Sequence, residues 1–173
     1  MTMTMDATIE QRGADGGFDA ATLAGKYLTF SLGQEEYGLS VLKVREIIKL
    51  MDITPVPQMP AYVKGVVNLR GKVIPVIDLR ARFGLPALDY TDRTCIVVVE
   101  TALSRERGLL GVIVDAVSDV LNITAAEIDQ TPDFGARVVT DYLLGLAKVK
   151  QTVKILLDLD RVLGADGALD RVA

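Results

Sequence analysis

The chain has 173 residues, half of them hydrophobic and 24% charged, with a net charge of −4 and a pI near 4.9. That length suits one compact unit or two small, intimately packed ones, and a core burying about 70% of the unfolded surface needs no metal or disulfide staple. There is no histidine, which removes Ser-His and Cys-His triads, His-ligated zinc and phosphotransfer through histidine, while the acidic balance argues against nucleic acid as a partner.

In chain order, residues 1–25 are rich in Gly, Ala, Thr and Asp and show no sustained period, so they read as a mobile N-terminal tail. The first residues carry neither a basic segment nor an apolar run of the secretory type, and no run approaches the roughly 20 apolar residues that span a bilayer. A soluble, cytoplasmic protein without membrane insertion is expected. From Lys26 onward short β-type runs dominate. "KYLTFSL" alternates, with Tyr27, Thr29 and Ser31 on one face and Leu28, Phe30 and Leu32 on the other. "GQEE" turns the chain into "YGLSV", and "EIIKLMDI" reads as a further strand before the Pro-punctuated "TPVPQMP". "PAYVK" is expected to form a short helical turn starting at Pro60. "GVVNLRGKVIPVIDLR" reads as two strands joined at a polar tip, followed by a short helix with Asp78 as N-cap and Gly84 as stop. Pro75 places its strand at an edge or a bulge. Cys95, the single cysteine, lies within "TCIVVVE" and is expected to be a buried core thiol in a reducing compartment.

The second half repeats the first. "YGLSVLKVREIIKL" aligns with "LGVIVDAVSDVLNI", pairing Gly38 with Gly111, Val44 with Val117, Glu46 with Asp119 and Ile47 with Val120. "KGVVNLRGKVIPVIDLRARFG" aligns with "LGLAKVKQTVKILLDLDRVLG", pairing Gly65 with Gly145, Asp78 with Asp158 and Gly84 with Gly164. About five short strands and one capped helix per unit predict an all-β chain of two tandem small barrels.

Several residues invite a functional reading. Val66, Asn68 and Arg70 share one strand face, Val67 and Leu69 the other, and Gly71 can take positive φ at the tip. This "NLRG" tip is either a solvated turn or an edge where Arg70 makes a charge-assisted contact with a partner. It lacks the strand-to-helix context of a phosphate-binding loop. Val44-Arg45-Glu46-Ile47 reads by itself as an ordinary strand entry, with Val44 and Ile47 in the core and Glu46 solvated or paired with Arg70. Gly65 serves backbone permissiveness or close chain approach. Val120 is either core packing in the second barrel or a contact residue. Phe134, beside Pro132, Asp133 and Gly135, suggests a lid over a barrel end. Asp115 and Asp119 follow Val runs and read as strand ends, whereas Asp158 and Asp160 sit at a helix start. No arrangement joins a nucleophile, an oriented base and an oxyanion site, so no enzymatic activity, metal or cofactor is expected.

"EEYGLSVLKVREI", "PAYVKGVVNLRGKVIPVIDLR", "GVIVDAVSDVLNI" and "YLLGLAKVKQTVKILLDLDRVL" resemble, in order and spacing, the signature blocks of the chemotaxis coupling protein (CheW) family. The resemblance runs from about Lys26 to Leu163. It implies two SH3-like five-stranded β-barrels, one over about 26–84 and one over about 92–163, with a tail at 164–173. It implies a non-enzymatic adaptor linking cytoplasmic chemoreceptor tips to the regulatory domain of the chemotaxis histidine kinase. The protein would be recruited to membrane-associated receptor arrays and could join rings with other couplers. Val44 and Glu46 match positions tied to receptor or kinase coupling, and Arg70 and Val120 positions tied to receptor binding. Asn68 and Gly65 are placed with them in the expected receptor site, Gly65 acting indirectly by holding the hairpin. Asp133 and Phe134 match the kinase and ring contact. Asp129 departs from the pattern the resemblance implies, standing where at least some close relatives carry a basic residue. Asn68, Arg70 and Gly71 have no copies in the second half, which carries "AKVKQ" there, and a feature present in one barrel alone is not required to fold one. The rival readings are a coupler for a non-flagellar receptor–kinase pathway and an SH3-like module for Pro-rich peptides, for which the chain has no Trp and few aromatics.

Overall fold

The computed structural model describes residues 18–101, 108–131 and 142–164. In chain order it contains α1 (Ala20–Leu23), β1 (Gly25–Leu32), β2 (Glu35–Ser40), a 3-10 turn (Val41–Lys43), β3 (Val44–Lys49), β4 (Val63–Leu69), β5 (Lys72–Asp78) and α2 (Leu79–Arg82). There follow β6 (Cys95–Glu100), β7 (Leu109–Val114), β8 (Ala116–Ile123), a 3-10 turn (Ala125–Glu127), β9 (Ile128–Asp129), β10 (Leu143–Val149), β11 (Thr152–Leu157) and α3 (Leu159–Gly164). The strands form one five-stranded sheet in the order β3-β6-β7-β5-β4 and one six-stranded sheet in the order β8-β1-β2-β11-β10-β9. These are the two SH3-like barrels of an all-β fold, here called barrel one and barrel two.

The barrels do not coincide with the sequence halves 26–84 and 92–163. β1 pairs with β8 and β2 runs parallel to β11, while β3 pairs with β6 and β5 runs parallel to β7. Each half therefore contributes strands to both barrels, and its own strands meet only as hairpins. The sequence repeat is nonetheless visible. Matching β1–β5 with β6, β7, β8, β10 and β11 converts one sheet order into the other. The halves are related by a pseudo-two-fold and have exchanged strands reciprocally. Periodicity reports which face of a strand is apolar, not which neighbour it pairs with, so the exchange leaves no trace in local sequence.

The interleaving explains why the inner strands β1, β6 and β7 are buried on both faces. Along β6, Ile96 and Val98 fill the interior of barrel one, while Val97 and Val99 join a core shared between the barrels. Leu28, Phe30 and Leu32 of β1 enter that shared core with Leu110, Val112 and Val114 of β7. Tyr27, Ile123, Ile128, Ala147 and Leu156 fill barrel two. β1 is thus buried on both sides rather than alternating, and Thr29 is tolerated there because its hydroxyl donates to the Asp119 carbonyl at 3.0 Å. Burial also raises the thiol pKa of Cys95, which is half-buried at the start of β6.

Three local expectations are corrected. Residues 18–24 are not a tail: Phe18, Ala20 and Leu23 pack against the core of barrel two, and the Tyr27 hydroxyl donates to the Leu23 carbonyl at 2.7 Å. Residues 1–17 lie outside the described residues. Pro75 sits in an internal strand. It is accommodated because Val66, opposite it, spends both backbone groups on Thr54 at 2.9 Å, and the parallel ladder to β7 begins only at Val76. The turn expected at Pro60 is present as a single turn, closed by Val63 N–H donating to the Pro60 carbonyl at 3.0 Å, and β4 starts at once. Ile47 is not core: it is 45% exposed on β3, whose burial alternates. Asp78 caps α2 as expected, accepting from Arg80 N–H at 2.9 Å, and Gly84 takes φ 74° just beyond the helix.

Candidate functional site: the β3 edge and the β4–β5 tip

The β4–β5 hairpin turns through two residues, Arg70 (φ 51°) and Gly71 (φ 86°), between the paired residues Leu69 and Lys72. Two left-handed residues match the right-handed twist of the flanking strands. Asn68 braces the tip, its Oδ1 accepting from Gly71 N–H at 2.8 Å. With the tip so fixed, the Arg70 guanidinium reaches Glu46 on β3 and forms an ion pair with its carboxylate. β3 and β4 are the two ends of the barrel-one sheet, so this pair clasps the barrel where its ladder stays open. Arg70 is 68% and Glu46 33% exposed at the side chain. At that exposure the pair is worth about 0–1 kcal/mol, so it orients the guanidinium more than it holds the barrel closed. Alongside, Arg45 pairs with Glu100, at the facing end of β6.

Gly65 has a strict structural role. It sits on β4 at φ 142°, and a Cβ there would collide with the Thr54 carbonyl oxygen. Close approach lets Thr54 and Val66 exchange two backbone hydrogen bonds, which fixes β4 and hence the tip. Val44 is half-buried at the start of β3 and packs on the shared core. Its repeat partner Val117 does the same at the start of β8, so both edge strands flank the junction of the barrels. Val120 lies on β8 at 51% exposure, which removes the core-packing alternative.

The structure thus joins Glu46, Asn68 and Arg70 in one constellation, with Val44 and Gly65 on the two strands that frame it. Val120 belongs to the other sheet. Asp133 and Phe134 fall outside the described residues. The equivalent tip of barrel two keeps the two-residue turn, with Lys150 at φ 51° and Gln151 at φ 68°, but not its chemistry. There Lys148 stands at the place of Asn68 and pairs with Asp129 at 2.8 Å. The departure at Asp129 is therefore neutralised within the chain.

The carboxylates at strand ends and helix start are occupied structurally. Asp115 accepts from the buried Arg80 at 2.6 Å and from Gly33 N–H at 2.8 Å, and Asp119 accepts from Val120 N–H at 2.8 Å. Asp158 accepts from Arg161 N–H at 3.3 Å, while Asp160 takes the Thr101 hydroxyl at 2.6 Å and Lys43 at 3.3 Å. Among the described residues no three His, Cys, Asp or Glu converge as a metal would need, and no helix is long and apolar enough to cross a membrane.

One feature was missed from sequence, a cleft of about 260 Å³ lined by Tyr37, Arg82, Phe83, Leu85, Tyr142, Leu143 and Ile155. Phe30, Tyr37, Phe83 and Tyr142 form a ladder with ring centroids 5.7–6.2 Å apart. The Arg82 guanidinium lies over Tyr62 at 4.8 Å and Tyr142 at 5.1 Å. These rings come from four separate stretches of chain, so no local motif announces them. The cleft contains none of the six residues of the expected receptor site.

Comparison with known proteins agrees with this architecture. The CheW-like domain model matches residues 26–166. The chain is 38% identical over 154 residues to the chemotaxis protein CheW of Klebsiella aerogenes, covering 88% of this chain and 90% of that protein. It is 36% identical over 146 residues to the chemotaxis protein CheW of Bacillus subtilis, covering 84% and 87%. The crystal structure of the scaffolding protein TtCheW from Thermoanaerobacter tengcongensis superposes with a TM-score of 0.75 at 35% identity, covering 83% of this chain and 95% of that one. A matched domain across most of the chain, relatives above 30% identity over nearly their whole length, and a shared two-barrel fold place this chain in the CheW family of chemotaxis coupling adaptors.

Proposed function

We propose that this chain links the cytoplasmic tips of chemoreceptors to the regulatory domain of a chemotaxis histidine kinase, with the β3 edge and the β4–β5 tip as the receptor contact. The observation that carries the reading is the Arg70–Glu46 clasp. An arginine held by a glutamate, yet largely open to solvent, presents free N–H donors in a fixed direction to a partner carboxylate or carbonyl. Val44 and Val120, on the edge strands flanking the barrel junction, supply apolar contact on either side of the charged rim. Gly65 and Asn68 act indirectly, by holding the strand and the tip. Asp133 and Phe134 are assigned to the kinase and ring contact by family resemblance. The mechanism uses binding energy alone and no chemical step, and the protein works on the cytoplasmic side, recruited to receptor arrays.

Separate receptor-tip and kinase regulatory-domain fragments, each tested by pull-down and then in a kinase assay, decide the matter. Arg70→Glu sets two carboxylates against each other, so receptor-tip binding is expected to fall at least about tenfold. Binding to the kinase fragment and the melting temperature should stay close to wild type. A folded R70E protein that binds the tip and supports kinase activation at wild-type levels would sink the reading.

A further inference from the structure

The strand exchange between the halves has a consequence for assembly. Four ladders join the hairpins of this molecule into barrels: β1–β8, β2–β11, β3–β6 and β5–β7. Every one of them runs between the segment before residue 85 and the segment after residue 93. Among the strands of the described residues, only β1–β2 and β4–β5 pair within the first segment, and only β6–β7 and β9–β10–β11 within the second. The shared core is likewise built from both segments. Neither half closes a barrel by itself, and each half is completed by the other.

The only covalent tie between them is residues 85–93, of which 86–93 are exposed. Three side-chain or backbone contacts hold this linker back onto α2 and its cap. Leu85 N–H donates to the Arg80 carbonyl at 2.8 Å, Arg80 Nε donates to the Pro86 carbonyl at 3.0 Å, and the Tyr90 hydroxyl donates to Asp78 at 3.0 Å. None of these hydrogen bonds belongs to a barrel ladder; Leu85 also packs against the shared core, and residues 86–93 take no part in it. Releasing the linker therefore leaves every barrel contact available to be made, whether by the chain's own second half or by that of another copy.

We infer that the second half of one copy can complete the first half of another, so that two chains form a closed dimer of two complete two-barrel bodies joined by their linkers. The exchange is symmetric and uses no new interface, which is the low-cost route to a dimer. In each body Glu46 and Arg70 come from one chain and Val120 from the other. The dimer thus carries two complete copies of the surface described above and is bivalent. A short flexible tether gives an effective concentration of order millimolar, so the closed monomer dominates in dilute solution. Exchange is favoured where copies fold at high local concentration. Once formed, the dimer reopens only by breaking all four ladders, and dilution does not dissolve it quickly.

The register supplies a direct test that involves no receptor or kinase, so its failure is separable from failure of the adaptor reading. Lys49 on β3 faces the native Cys95 on β6, across the two halves. In the full-length Lys49→Cys variant the two thiols lie within one chain in the monomer and in different chains in the exchanged dimer. Refolded near 1 μM and oxidised, the variant is expected to run at monomer size on a non-reducing gel. Refolded at several hundred μM, it should give a dimer by light scattering that survives dilution and runs at dimer size when oxidised. The dimer-size band should vanish in K49C/C95S. Monomer alone at every concentration would overturn the inference. So would a dimer whose interchain band persists in K49C/C95S, because that band reports an ordinary surface contact. Should K49C not fold, Ser31→Cys with Ala116→Cys in a C95S background reads the β1–β8 ladder by the same gel, with C95S/S31C as its control.

Discussion

Gly65 and Arg70 lie five positions apart on one hairpin and are held there by different physics. Gly65 is dictated by sterics: its φ of 142° and the Thr54 carbonyl oxygen beneath it exclude any Cβ. Gly65→Ala is expected to cost about 2–4 kcal/mol, because the Thr54–Val66 bridge must open or the backbone must shift. Thermal denaturation would show this as a loss of roughly 5–15 °C. Under the proposed function receptor binding should fall with it, through the tip that Gly65 positions, and a G65A protein that melts as wild type would disprove the close-approach role. Arg70 is free of such constraint, since its partner Glu46 is a surface carboxylate and the pair adds little stability. Both residues could be singled out in the sequence. The pairing of Glu46 with Arg70 could be raised as an option but not settled, because 24 positions separate them and only barrel closure brings them together.

At the scale of elements, the two tips compare one backbone with two sequences. Both turn through a pair of left-handed residues, yet barrel one spends a glycine on the second position and barrel two a glutamine at φ 68°. A non-glycine residue in that region is strained by roughly 1 kcal/mol. Gln151→Gly is therefore expected to stabilise the protein by about 0.5–1 kcal/mol, or about 2–4 °C in melting temperature. Differential scanning calorimetry reads this directly, and a lower melting point would mean that the tip is relaxed as it stands. Hairpins, tips, the Asp78 cap and the Gly84 stop were legible because turn chemistry is local. The strand status of Pro75 was misjudged because edge or interior is a property of the sheet. The exposure of Ile47 and Val120 is not legible locally, because an apolar residue on an edge strand follows the same alternation whether or not a neighbour covers it.

For the molecule as a whole, the barrels are pinned by polar groups that bridge the halves. Glu36 on β2 pairs with Lys154 on β11 and accepts from the Ser118 hydroxyl on β8 at 3.0 Å. The Lys154 hydrogen bond lowers the Glu36 pKa below its ordinary 4.5, with Ser118 helping and burial opposing. Because the folded-state pKa lies below the unfolded one, the carboxylate stabilises the fold above pH 4.5. That contribution is lost as pH falls through the depressed folded value. Glu36→Gln should therefore melt below wild type at pH 7, by up to about 3 °C, and the gap should narrow steadily as pH falls below 4.5. A gap that is constant with pH would show that the carboxylate's charge plays no part.

Sequence by itself determined the strand content, the two-fold repeat, the hairpin tips and, through its signature blocks, membership of the CheW family. These follow from properties carried within some ten residues of chain: alternation, turn chemistry and caps. Tertiary structure alone decided which strands meet. The halves read as tandem barrels but fold as two barrels built jointly, so Glu46 meets Arg70, Val120 is left exposed, and rings from three stretches gather in one cleft. The reason is physical. A strand's apolar face fixes that it must be covered, and every strand here is apolar enough to be covered by several others. The choice among them rests on closing both barrels and the shared core at once, which no single segment encodes.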